Sequence, residues 1–156
     1  MKFLTVKTTV SASVDQVSQD LWQFEKLQSL WNPITQYQIT YDDGFHQECR
    51  MWVDWQGERV PLRAIRWRKG EDIWFFNPEP PPMMSFHRGI WRIRRLDADL
   101  CQIIAYREYN ISPFLQNDET DEKIREQRFH KAFKERLETL TKYLQRHYAN
   151  LSSVEI

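Results

Sequence analysis

Between residues 34 and 111 the chain carries six strand-like runs in succession, with no helical period among them. They span residues 34–41, 45–55, 59–67, 72–77, 85–96 and 100–111. Most are separated by short turn signals: Asp42-Asp43-Gly44, Gln56-Gly57, Lys69-Gly70 and Asp97-Ala98-Asp99. Glycine and aspartate suit the tight backbone geometry of hairpin connections. A parallel pair needs a crossover of a dozen or more residues, so connections this short force antiparallel neighbours. The centre of the molecule is therefore predicted to be an antiparallel meander. One connection differs. Four prolines fall within the five residues 78–82, in the stretch NPEPPPMM. Proline lacks an N–H and cannot continue a ladder, so this segment reads as a stiff link beside the mouth of the fold. Pro61, inside the third run, predicts an irregular or edge stretch there.

The flanks complete the pattern. Residues 3–11 alternate and are rich in threonine and valine, which predicts a strand. Ser13 or Asp15 can cap a short helix that carries Val14, Val17, Leu21 and Trp22 at helical spacing. Phe24, Leu27, Leu30 and Trp31 suggest a second short helix, stopped by Asn32-Pro33. From residue 118 to about 148, Phe129, Ala132, Phe133, Leu137, Leu140, Leu144 and Tyr148 form one apolar stripe on a long helix. The expectation is one domain over residues 1–148, with 149–156 as a frayed tail. Because sheets twist and coil, a meander of this length curls, and one long amphipathic helix can close its concave side.

Charge and aromatic content narrow the functional classes. Lysine plus arginine and aspartate plus glutamate are each 22, which argues against general nucleic-acid or membrane-surface binding. Seven Trp, six Tyr and nine Phe either fill a core or line a pocket for a flat ligand. Cys49 and Cys101, far apart in strand-like runs, read as buried free thiols. No His/Cys/Asp/Glu cluster has metal spacing, and no nucleotide or flavin fingerprint is present, so no cofactor is expected. The N-terminus is too polar for a signal peptide, and no apolar run approaches the ~20 residues of a membrane span. Cytoplasmic location is the default expectation.

The order strand, two short helices, six strands and long helix resembles the helix-grip fold of the START-like (SRPBCC) superfamily. Three local patterns carry the likeness: the small-residue turn Ser11-Ala12-Ser13 before Val14, the Trp31-Asn32-Pro33 exit from the second helix, and Gly89-Ile90-Trp91 followed by an acidic turn and Tyr106-Arg107-Glu108-Tyr109. The last resembles the polyketide aromatase/cyclase branch. The resemblance implies an α+β fold with a curved seven-stranded antiparallel sheet wrapped around the C-terminal helix. It also implies a cavity that binds a poly-β-ketone, tethered to an acyl carrier protein, and promotes aldol cyclisation and dehydration without a cofactor. Other relatives carry a lipid, quinone or hormone, so the alternative is a non-catalytic carrier. Monomer and homodimer both remain open.

Alternation selects candidate residues. In the 85–96 run one face carries Ser85, His87, Gly89, Trp91 and Ile93, and the other carries Arg88, Arg92 and Arg94. The arginine face is predicted to be wet and to offer a surface for an acidic carrier protein. Ser85, His87, Gly89 and Trp91 then turn inward, with Gly89 as a gap left for ligand. Trp91 matches an inward tryptophan that the resemblance implies. His87 can give and take a proton near neutrality, as aldol closure and dehydration require. The resemblance also implies a cavity arginine on a strand comparable to 59–67, where Arg63 and Arg66 lie on opposite faces. Arg66, which shares a face with Val60, Leu62 and Ala64, is the preferred inward residue, by a small margin. Trp31, Tyr37, Trp52, Trp55 and Trp74 are expected to line the pocket or its mouth. Tyr106 and Tyr109 lie on opposite faces of the last run, so at most one faces in. His130 and His147 read as solvated or interfacial.

Overall fold

The computed structural model of the protein describes residues 1–23, 25–26, 34–55, 57–112 and 122–154. Strand β1 (Lys2–Val10) leads to helix α1 (Val14–Trp22). Six strands follow: β2 (Ile34–Asp42), β3 (His46–Trp55), β4 (Glu58–Lys69), β5 (Asp72–Glu79), β6 (Met84–Asp97) and β7 (Leu100–Ile111). The long helix α2 (Glu122–Val154) ends the described chain. The seven strands form one sheet in the order β1-β7-β6-β5-β4-β3-β2, every pair antiparallel. The chain thus makes the expected meander, and β1 returns to pair with the last strand. Among the described residues no helix is long and apolar enough to cross a membrane.

Local sequence explains each element. On β1, Leu4, Val6 and Val10 are buried while their neighbours Phe3, Thr5, Lys7 and Thr9 are exposed, the two-residue period of a half-buried strand. Ser13 caps α1, its Oγ accepting from the Gln16 N–H at 3.2 Å. Val17, Leu21 and Trp22 then bury one face of α1, which packs on β5 and β6. On α2, Leu137, Leu140, Leu144 and Tyr148 are buried, and the helix packs on β1 and β7. Cys49 and Cys101 are buried free thiols, as expected.

Two boundaries and one register differ from expectation. Helix α2 continues through Val154, where residues from 149 were expected to fray. No glycine or proline follows Tyr148, so nothing in the sequence stops propagation. Pro61 sits in regular register opposite Trp52. The irregularity lies between β4 and β5 instead: Ile65 faces Phe76 but Arg63 faces Glu79, so three steps on β5 match two on β4. This bulge lets β5 run on through Pro78 to Glu79, beyond the expected end at Asn77, because a bulge is one of the few places a sheet tolerates proline. The remaining prolines form the turn into β6, where the Met84 N–H donates to the Pro81 carbonyl at 3.1 Å. Met83 closes that turn at φ 72°, a left-handed conformation that is strained for a residue with a Cβ. The second short helix expected near residues 24–31 falls largely outside the described residues, as does Trp31.

Candidate ligand site

Strand register builds a transverse row across the inner face of the sheet. Leu4, Arg107, Gly89, Phe75, Arg66, Gln47 and Asp42 stand opposite one another from β1 to β2. Next to it, His87 faces Tyr109 across β6 and β7. Four of these side chains are polar or charged yet buried: Arg66, Gln47, His87 and Arg107. Burying such groups is unfavourable unless each finds partners, so the identity of those partners is informative.

His87 is 7% exposed, and its ring packs edge-on against Phe75 and Phe133, with centroids 5.2 and 5.7 Å away. Its Nδ1 lies 2.6 Å from Asn77 Oδ1. The Asn77 amide is itself oriented, since Nδ2 donates to the Arg63 carbonyl at 3.0 Å. That carbonyl lies at the bulge, where Pro78 offers no N–H. With Asn77 Oδ1 turned to the imidazole as an acceptor, His87 Nδ1 carries the proton. Nε2 is then the bare nitrogen, buried and without a hydrogen-bond partner among the described residues. Burial, reinforced by the Arg107 charge, lowers the imidazole pKa to about 3, so the ring is neutral at pH 7.

The two inward arginines have different surroundings. Arg66, 4% exposed, donates from Nη1 to the Trp22 carbonyl at 3.2 Å and to Gln47 Oε1 at 2.8 Å, and from Nη2 to the Leu21 carbonyl. It caps the C-terminal turn of α1, where orphan carbonyls and the negative end of the helix dipole favour a cation. Its guanidinium also lies 5.3 Å from the Trp22 ring centroid. Arg107, 5% exposed, has its guanidinium close to two rings, 4.5 Å from the Trp91 centroid and 4.6 Å from that of Phe75. Burial lowers the pKa of Arg66 to about 10 and of Arg107 to about 9, so both stay charged at neutral pH.

A second aromatic group adjoins His87. Tyr109 is fully buried, packs tilted against Phe129 and edge-on against Phe133 of α2, and its hydroxyl lies 2.6 Å from His130 Nδ1. Burial, with the Glu126 charge, pushes the Tyr109 pKa up to about 12.

The predicted residues divide. His87, Trp91 and Arg66 face inward as expected, and Tyr37 is partly buried against the core. Gly89 also faces inward, but it is no gap for ligand. A Cβ there would meet the Tyr106 carbonyl and lie 2.8 Å from both Arg107 Cδ and Phe75 Cε1, so the missing side chain makes room for the arginine. Ser85 is exposed, because a register shift between Met84 and Phe86 turns Met84 inward in its place. Trp52 and Trp74 lie on the convex face. Trp52 sits under Arg59, and Trp74 stacks on Trp67 with centroids 6.3 Å apart. Arg63 is also outward, paired with Glu48. Arg88, Arg92 and Arg94 are exposed as expected, but Arg88 pairs with Glu108 and Arg94 with Asp72. The sequence reading did not single out Asn77, Phe75 or Arg107. Arg107 had a signal, since it shares its face of β7 with the apolar Cys101, Ile103 and Ala105.

No protein-family model matches the sequence, and no curated protein matches it. Solved structures do. The di-domain aromatase/cyclase StfQ of the steffimycin biosynthetic pathway superposes with a TM-score of 0.82 at 12% identity, over 97% of this chain and 52% of that one. The ZhuI aromatase/cyclase of Streptomyces sp. R1128 gives 0.66 at 22% identity, over 71% of this chain and 68% of that one. A START superfamily protein of Mycobacterium smegmatis gives 0.76 at 17% identity, over 96% and 98%. With its curved antiparallel sheet and long closing helix, the chain has the START-like helix-grip fold, the fold shared by these aromatase/cyclases.

Proposed function

We propose that this protein is a polyketide cyclase/aromatase-like enzyme that binds a poly-β-ketone between sheet and helix. The observation that carries the reading is the bare Nε2 of His87, held in one tautomer in an aromatic interior. An imidazole of lowered basicity is a poor general base, so this reading requires a strongly acidified C–H, such as a CH₂ between two carbonyls. His87 Nε2 takes that proton, the resulting enolate carbon attacks a ketone of the same chain, and a C–C bond forms. The alkoxide so made recovers the proton from the imidazolium. Dehydration repeats the cycle: Nε2 takes a second α-proton, and the imidazolium protonates the departing hydroxyl, which leaves as water. Trp91, Phe75 and Phe133 supply flat apolar walls, and Tyr37 a phenol further along the sheet. Arg66 positions α1 rather than acting on substrate. A tethering acyl carrier protein would meet the convex arginine face, chiefly at Arg92, in a salt-sensitive contact.

The test is reconstitution with a minimal polyketide synthase. Wild-type protein should shift the product pattern toward regiospecifically cyclised aromatics, and His87→Gln should abolish the shift while retaining the fold. Identical products with both proteins would overturn the assignment. The same low basicity of His87 also favours a second reading, a non-catalytic carrier for a lipid, quinone or polyketide. Native mass spectrometry showing a retained, unaltered ligand, together with no change in synthase products, would select it.

A further inference from the structure

Arg107 and Arg66 are both buried, yet their donors are satisfied to different degrees. Arg66 donates from Nη1 and Nη2 to three acceptors. The hydrogen bonds of Arg107 run from Nη1 alone, to the Tyr106 carbonyl at 2.8 Å and the Ile90 carbonyl at 3.4 Å. The Nε–Nη2 edge, the side of the fork that grips a carboxylate with two parallel bonds, has no acceptor among the described residues. The sheet arginines that form ion pairs among the described residues, Arg63, Arg88 and Arg94, have their acids on the convex side. An unpaired cation in a buried setting is strongly unfavourable, and ring faces offset only part of that penalty. The sequence nevertheless gives up the side chain at position 89 to seat this arginine.

We propose that the interior binds its ligand as an anion, held by the Nε–Nη2 edge of Arg107, with a neighbouring hydroxyl donating to His87 Nε2. The two groups are close neighbours. His87 and Gly89 share one face of β6, Arg107 stands opposite Gly89, and the Phe75 ring touches both the imidazole and the guanidinium. The Trp91 and Phe75 rings, with centroids 4.5 and 4.6 Å from the guanidinium carbon, crowd its surroundings, and a flat ligand group suits the space beside them. A planar oxyanion beside an O–H donor is the arrangement of a hydroxyaryl carboxylate, or of an enol beside its enolate. This deepens the proposed function and rests on the interior being the ligand site, not on cyclisation occurring there.

The experiment uses the full chain and two probes of equal shape, 1-hydroxy-2-naphthoate and the neutral 1-hydroxy-2-naphthamide, titrated at pH 7 by calorimetry. Wild type is expected to bind the carboxylate at least tenfold more tightly. Arg107→Met should erase the preference while keeping amide affinity within threefold, Arg107→Lys should retain part of it, and Arg50→Gln, on the convex face, should leave it intact. Should Arg107→Met fail to fold, the wild-type and Arg107→Lys comparisons still decide. Equal affinities in wild type, a preference surviving in Arg107→Met, or no binding of either probe up to millimolar concentration would each overturn the proposal. A charge preference without altered synthase products retains the anion site and removes the cyclase reading. Altered products without a charge preference do the reverse.

Discussion

Mild acid should destabilise this protein through one residue. His87 has its pKa lowered from 6.5 to about 3 by burial and by Arg107, whereas in the unfolded chain it titrates near the ordinary value. The unfolded state therefore binds a proton that the folded state refuses. Stability from this group is fully present above pH 6.5 and is lost progressively as pH falls toward 3, below which no further loss occurs. At about 1.4 kcal/mol per pH unit, the contribution lost between pH 7 and pH 5 is about 2 kcal/mol. Asp43, held down at about 2 by the N–H groups of His46 and Phe45, stays ionised across that interval and adds nothing. Urea unfolding followed by tryptophan fluorescence at pH 7 and pH 5 measures the loss. In His87→Gln the position no longer titrates, so the loss should be smaller than in wild type by about 2 kcal/mol, or roughly 4–8 °C in Tm for a chain of this size. The double difference cancels all other titrating groups. An equal loss in both proteins would refute the claim that His87 is buried and neutral.

Three further outcomes follow from named contacts. Gly89→Ala should destabilise by about 1–3 kcal/mol in urea unfolding, since the new Cβ meets the Tyr106 carbonyl, Arg107 and Phe75. Tyr148→Phe should lower stability by about 1–3 kcal/mol in the same assay, because the buried Asp20 carboxylate loses the hydroxyl that donates to it at 2.9 Å. Asn77→Asp should place a carboxylate against His87 Nδ1 and raise the imidazole titration midpoint by more than about one unit, read by histidine NMR, with a correspondingly smaller loss of stability between pH 7 and 5.

Much of this architecture could be read along the chain because it depends on local signals. Two-residue alternation marks a strand and its wet face wherever the register is unbroken, so His87, Trp91 and the exposed arginines of β6 were placed correctly. Where a bulge intervenes, alternation fails by one residue. The shift between Met84 and Phe86 exchanged Ser85 for Met84, and the bulge at Pro78 carried β5 past its expected end. Aromatic content was a poorer guide: it promised a lined interior, but Trp52 and Trp74 lie on the convex face, where Trp74 stacks with Trp67.

The residues that define the site depend on contacts across strands, and a linear pattern holds no record of which side chain will meet which. Gly89 was visible as a missing side chain, but only the pairing of β6 with β7 shows that Arg107 fills its place. Arg66 could be assigned to a face, yet only the packing of α1 against the sheet commits its donors to the Leu21 and Trp22 carbonyls. The Asn-Pro step before the proline turn reads along the chain as a strand ending, yet β5 runs through it to Glu79. Its consequence for His87 is not local: Pro78 lacks an N–H, the bulge leaves the Arg63 carbonyl to the Asn77 amide, and the other end of that amide decides which imidazole nitrogen is bare.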